Sequence, residues 1–113
     1  MTLQDELFEA ANGELAIGEL EKAVELYRQS IALDTNFVDG WHALGMALMK
    51  LGRFEEAIQA AKKATELNPN DQILWTSLSL AYVRNHQIAE AEAAGAKAKI
   101  LSWGGKIKKE SSD

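Results

Sequence analysis

The sequence predicts an all-α fold, a stack of three two-helix units. Two observations carry that prediction. The chain of 113 residues matches itself without a gap when slid by 34, the mark of a repeat architecture. Leu7, Trp41 and Trp75 fall in register, as do Leu20, Phe54 and Ile88. Ala23, Ala57 and Ala91 form another column, and Ser30, Ala64 and Ala98 a fourth. Within each unit, apolar residues recur at spacings of three and four, which gives a helix one buried stripe. No segment alternates as a half-buried strand would. The units are 4–37, 38–71 and 72–105, so residues 1–105 form one domain and 106–113 a flexible tail.

Each element has a local reason. Thr2 with Asp5 three residues on caps a first helix over roughly 3–17. Gly18 interrupts it, and a second helix covers roughly 20–33. Asn36, followed by Asp39, is the expected N-cap of a third helix over roughly 37–51, whose stripe is Trp41, Leu44, Leu48 and Leu51. Gly52 sits where a left-handed residue ends a helix. A fourth helix, roughly 54–67, buries Phe54, Ala57, Ile58, Ala61, Ala64 and Leu67. Pro69 disfavours helical geometry in Asn68, and Asn70 is the expected cap of a fifth helix over roughly 71–84. His86 stands in the Gly18 and Gly52 column, and a sixth helix covers roughly 88–101.

Composition narrows the function classes. The chain is 47% hydrophobic, too apolar for a disordered tail. No apolar run approaches the ~18 residues of a membrane span, so no membrane insertion is expected. The start MTLQDELFEA lacks the basic-then-apolar order of a secretory signal, and the expected location is cytoplasmic. Zero Cys excludes disulfides, thiolate metal sites and a cysteine nucleophile. Seventeen acidic residues against twelve basic ones give a net charge of −5, which argues against nucleic-acid binding. His42 and His86 have no second ligand at metal spacing. Gly104-Gly105 follows no strand, so it is no phosphate loop. The expectation is a non-enzyme without metal or cofactor.

The spacing and the residues resemble the tetratricopeptide repeat family over about 102 of the 113 residues. The second unit carries Trp41-x-x-Leu44-Gly45-x-x-Leu48, then Ala57, Ala64 and Pro69. The third carries Trp75-x-x-Leu78-Ser79-x-x-Tyr82, then Ala91 and Ala98, but has His86 for the usual Gly and Trp103 for the usual Pro. The first departs most, with Ala10-Ala11 and with Glu14 where a large apolar residue is usual. The resemblance implies a right-handed α-solenoid in which Ala23, Ala57, Ala91, Gly45 and Ser79 are small to let helices approach. It also implies that Trp41 and Trp75 fill gaps between units.

By the same resemblance, the first helix of each unit lines a concave groove. The protein-binding residues expected there are Phe8, Asn12, His42, Met46, Met49, Lys50, Leu80 and Arg84. Ile73, Thr76, Ser77 and Val83 fall on the same face. The alternative is that Leu15, Leu80 and Val83 complete the core. Thioethers repack around irregular ligands, so an amphipathic peptide or helix bearing an acidic residue is the expected partner, and the protein a scaffold or adaptor. Aspartate at Met46 and Met49 would test it. Chaperone-binding members hold a terminal carboxylate with a clamp of Lys, Asn, Asn, Lys and Arg. This chain has Phe8, Asn12, Ala43, Ile73 and Ser77 at those positions, so every cation is missing.

A second candidate surface is the end of the last unit. No further helix follows Gly104-Gly105 to cover it, so the sequence is either a whole small protein or a piece of a longer array. Ala94 and Ala98, with Leu101 and Trp103, are the expected edge contacts of an accessory subunit in a larger complex, or of self-association. The alternative is that Trp103 and Ile107 fold back over the end. Lys106, Lys108 and Lys109 are too few for a phosphate or membrane patch.

Overall fold

The computed structural model describes residues 1–107. Six helices follow one another: α1 (Leu3–Ala16), α2 (Leu20–Leu33), α3 (Val38–Lys50), α4 (Phe54–Leu67), α5 (Gln72–Arg84) and α6 (Ile88–Ser102). They form three hairpins, each stacked on the next through α2 against α3 and α4 against α5. The expected helix boundaries agree with these to within about one residue. The flexible tail expected over 106–113 begins differently. Ile107 packs against the core, and its N–H donates to Asn70 Oδ1 at 2.8 Å. Residues 108–113, with Lys108 and Lys109, lie outside the described residues.

The first helix of every hairpin ends in the same way. Gly18 and Gly52 take φ values of 84° and 77°, and His86 follows them at 60°. In each case the next N–H reaches back to a carbonyl five residues earlier: Glu19 to Glu14, Arg53 to Leu48, and Gln87 to Tyr82, each 2.9 Å. This closes the helix end with two orphan carbonyls satisfied. The left-handed conformation costs a residue with a Cβ about 1–2 kcal/mol. His86→Gly is therefore expected to raise the unfolding free energy by about 1 kcal/mol, measured by urea denaturation. An unchanged or lowered midpoint would show that the imidazole makes up the strain.

The N-caps correct two expectations. Thr2 does form a capping box with Asp5. Asn36 and Asn70, however, sit one residue too early. The α3 cap position is Phe37, with no side-chain bond, and the α5 cap is Asp71, whose carboxylate accepts from Ile73 N at 3.0 Å. Both asparagines belong to the inter-repeat loop, which the indoles hold from the other side. Trp41 Nε1 donates to Thr35 O and Trp75 Nε1 to Pro69 O, each at 2.8 Å. The two contacts are 34 residues apart, so the repeat extends to its hydrogen bonds.

The core forms two clusters that meet at Met49. One joins α1 to α4 around Tyr27, Leu44 and Leu48, and the other joins α4 to α6 around Ile58, Trp75 and Leu78. Ala23, Ala57 and Ala91 are buried, as their small size predicts. Gly45 is less constrained than expected. A Cβ there would meet Ala57 O at 3.6 Å and Ala60 Cβ at 3.7 Å, ordinary contacts. Ser79, its counterpart, fits a whole side chain that donates to Ala91 O at 2.8 Å. The tight glycine of this helix is Gly40, where a Cβ would lie 2.8 Å from the Phe37 ring. Its closeness was not legible in the sequence, because Phe37 enters from outside the helix.

An ion-pair network ties the first two hairpins together on their outer surface. Arg53 bridges Glu21 of α2 and Glu56 of α4, and Arg28 of α2 also reaches Glu56 at 2.9 Å. The hydrogen bond from Arg53, then the charges of Arg53 and Arg28, holds the Glu56 carboxyl below its ordinary value of 4.5. A lowered folded-state pKa contributes stability that is present above the unfolded value and lost as pH falls through the folded one. Melting temperature should thus fall with pH below 4.5, and Glu56→Gln should flatten that slope. An identical slope in the variant would locate the acid sensitivity elsewhere.

Candidate functional site

A cavity of about 350 Å³ opens between α3 and α5. Ala57 and Ala61 of α4 form its floor. From α3 come His42, Met46, Met49 and Lys50, and from α5 Ser77, Leu80 and Arg84. On α3 these residues sit at spacings of four, three and one, which puts them on one helix face. The repeat duplicates that face 34 residues later, so Met46 answers to Leu80 and Lys50 to Arg84. Six of the eight residues expected in the groove are thereby brought together.

The walls are apolar and open. Met46 is 43% and Leu80 49% exposed, and Val83 beside them is 45% exposed. Leu80 and Val83 therefore do not complete the core, whereas Leu15 does pack against it. Met49 differs from Met46, because it is partly buried against both core clusters. Lys50 and Arg84 end their helices at the mouth of the cavity. Among the described residues no carboxylate pairs with either; the ion pairs are made by Arg28 and Arg53. A cation is favourable at a helix C-terminus, so both are held there without an acidic partner.

Phe8 and Asn12, expected in the same groove, are not among the residues that line the cavity. The Phe8 ring stacks edge-on against Phe37 at 5.0 Å and tilts against Tyr27 at 5.7 Å. Asn12 Oδ1 accepts from the Tyr27 hydroxyl, and burial pushes the Tyr27 pKa up. The first repeat thus turns Phe8 onto its own core and ties Asn12, which stays exposed, to Tyr27. Ser77, expected on the groove face though not among the binding residues, lines the cavity, and so do Ala57 and Ala61, which were not expected there. The two alanines come from a second helix, so first-helix positions alone could not have found them.

The expected edge contacts also divide. Ala94 and Ala98 are only 4% and 8% exposed, packed with Trp75 and Leu78. Their small size serves the approach of α5 to α6, so they are not available to a partner. Leu101 is half-buried on the same cluster. Trp103 is 76% exposed, so Ile107 folds back over the end and Trp103 does not.

Among the described residues no group of three or more His, Asp or Glu side chains is placed to hold a metal ion. No helix there is long and apolar enough to cross a membrane.

Three family models match along the chain: a tetratricopeptide repeat over residues 38–71, a TPR repeat over 11–52 and a tetratricopeptide repeat over 60–93. Together they run from 11 to 93, over the hairpins described above. The chain belongs to the tetratricopeptide repeat family. No curated protein matches the sequence of this TPR chain. Solved structures share its α-solenoid fold. MamA superposes with a TM-score of 0.86 at 24% identity, over 89% of this chain and 59% of its own. The Sgt2 TPR domain from Aspergillus fumigatus gives 0.84 at 24%, over 96% and 72%. The second TPR of Spaghetti (RPAP3), solved bound to the HSP90 peptide SRMEEVD, gives 0.81 at 22%, over 87% and 91%. The present chain thus spans about three-fifths of the MamA chain.

Proposed function

We propose that this TPR protein is a non-catalytic interaction module that holds an acidic, amphipathic peptide or helix in the cavity between α3 and α5. The observation that carries the reading is a pair of cations, Lys50 and Arg84, without a carboxylate partner among the described residues, at the mouth of an exposed apolar cavity in a chain of net charge −5. Lys50 lies one helical turn from Met46, and Arg84 one turn from Leu80. A ligand would seat an apolar side chain between Met46 and Leu80 and a carboxylate about 5–6 Å away. Burial of the apolar group supplies affinity, and the charge pair supplies orientation. The tetratricopeptide fold, and the peptide in the RPAP3 structure, support a protein partner. The missing clamp cations at Phe8, Ile73 and Ser77 argue against a ligand held only by its C-terminal carboxylate.

Selection from a displayed random-peptide library tests the reading. Enriched peptides are expected to carry Leu, Ile, Phe or Met within one turn of Asp or Glu. K50E with R84E should remove the acidic preference. Enrichment without acidic residues would overturn the orienting role of the cations.

A further inference from the structure

The outward face of α6 is a second surface with a legible occupant. One side of this helix, Ala91, Ala94 and Ala98, is buried against α5. The opposite side, Ala89, Ala93, Ala96, Ile100 and Trp103, is exposed along its whole length. Ile100 is 41% and Trp103 76% exposed, so the face holds large apolar groups and is not merely a run of alanines. The spacing of four, three, four and three is that of a coiled-coil seam; Gly105 turns back against Ile100 at its end, yet all five residues stay exposed. None of these residues lines the cavity between α3 and α5.

The charges beside the seam name the occupant. Glu90 and Glu92 flank its first half, and Lys97 and Lys99 its second half. Neither lysine pairs with a carboxylate among the described residues. Lys99 lies 5.8 Å from the Trp103 ring centre and Lys97 4.5 Å from that of Trp75. A helix with an acidic first half and a basic second half is complementary to itself when reversed.

We propose that α6 pairs antiparallel with α6 of a second copy about a two-fold axis, forming a weak homodimer. In the matching register Ala93 opposes Ala96 of the second copy, and Ala89 opposes its Ile100, small against large. Glu92 then faces Lys99 of the second copy and Glu90 faces its Lys97, with the reciprocal pairs made by symmetry. A parallel pair would set the acidic halves at one level and the basic halves at another. The seam is about 22 Å long at the helical rise. One helix pair of that length falls below the ~1,200 Å² of standard interfaces, so the dimer forms with concentration. It leaves the groove free and does not depend on the peptide-binding reading.

Sedimentation velocity at low ionic strength, from about 5 to 500 µM, tests the pairing. Mass is expected to rise from monomer toward dimer. Ala96→Glu, at the centre of the seam, should keep the chain monomeric. Glu92→Lys should weaken the dimer about tenfold, and Glu92→Lys with Lys99→Glu should restore it. All three positions are exposed, and an unchanged thermal melt by circular dichroism confirms folding. A wild-type monomer throughout the range overturns the proposal. A dimer indifferent to Ala96→Glu places the contact on another face and overturns it too. Failure of the double reversal to recover association rejects the antiparallel arrangement.

Discussion

Trp75→Ala is expected to lower the unfolding free energy by about 3–5 kcal/mol, as for other truncated core aromatics. Trp75 is only 9% exposed and lies between α5, α6 and the end of α4. The substitution removes its volume, leaves the Pro69 carbonyl without its 2.8 Å donor, and takes the ring away from Lys97. Trp41→Ala should cost less, about 2 kcal/mol, because that indole is partly exposed and bonds to an exposed loop. Urea titrations with constant m-values measure both. Repeat arrays gain stability from nearest neighbours. Amide exchange in the Trp75 variant should therefore rise first in α5 and α6, while α1 and α2 stay protected. Equal losses at the two tryptophans would contradict the difference in burial.

Met46→Asp with Leu80→Asp is expected to weaken binding of a selected acidic peptide by about 100-fold, through two lost apolar contacts and two added like charges. The melting temperature should hardly move, since both side chains are nearly half exposed. The pair Met46 and Met49, equivalent by sequence, would confuse the result. Met49 joins both core clusters, so an aspartate there attacks the fold as well as the groove. Calorimetric titration of the peptide, with a thermal melt of each variant, separates the two effects. Full binding by the Met46 and Leu80 variant would move the ligand off this cavity.

The legible part of the molecule is the part that local chemistry decides. Periodic apolar residues delimit the six helices, and the column of Gly18, Gly52 and His86 marks three helix ends whatever surrounds them. The 34-residue self-match orders the hairpins, because each unit can bury its stripe only on its neighbour. The groove was partly legible for the same reason. Met46 with Leu80, and Lys50 with Arg84, are repeats of one position on one helix face.

What the tertiary structure decided is which of several equivalent positions faces the cavity and which is engaged by a neighbouring side chain. Asn12 occupies the same repeat position as Met46 and Leu80, yet Tyr27 captures its amide and the cavity is not lined by α1. Ala94 and Ala98 read as an open small-residue face until α5 is seen to fill it. Met46 and Met49 are alike by composition and differ by what packs beneath them. A sequence specifies the order and ends of helices through interactions a few residues long. Exposure at a given position depends on the volume and polar groups supplied by another helix, and only the packed chain contains that information.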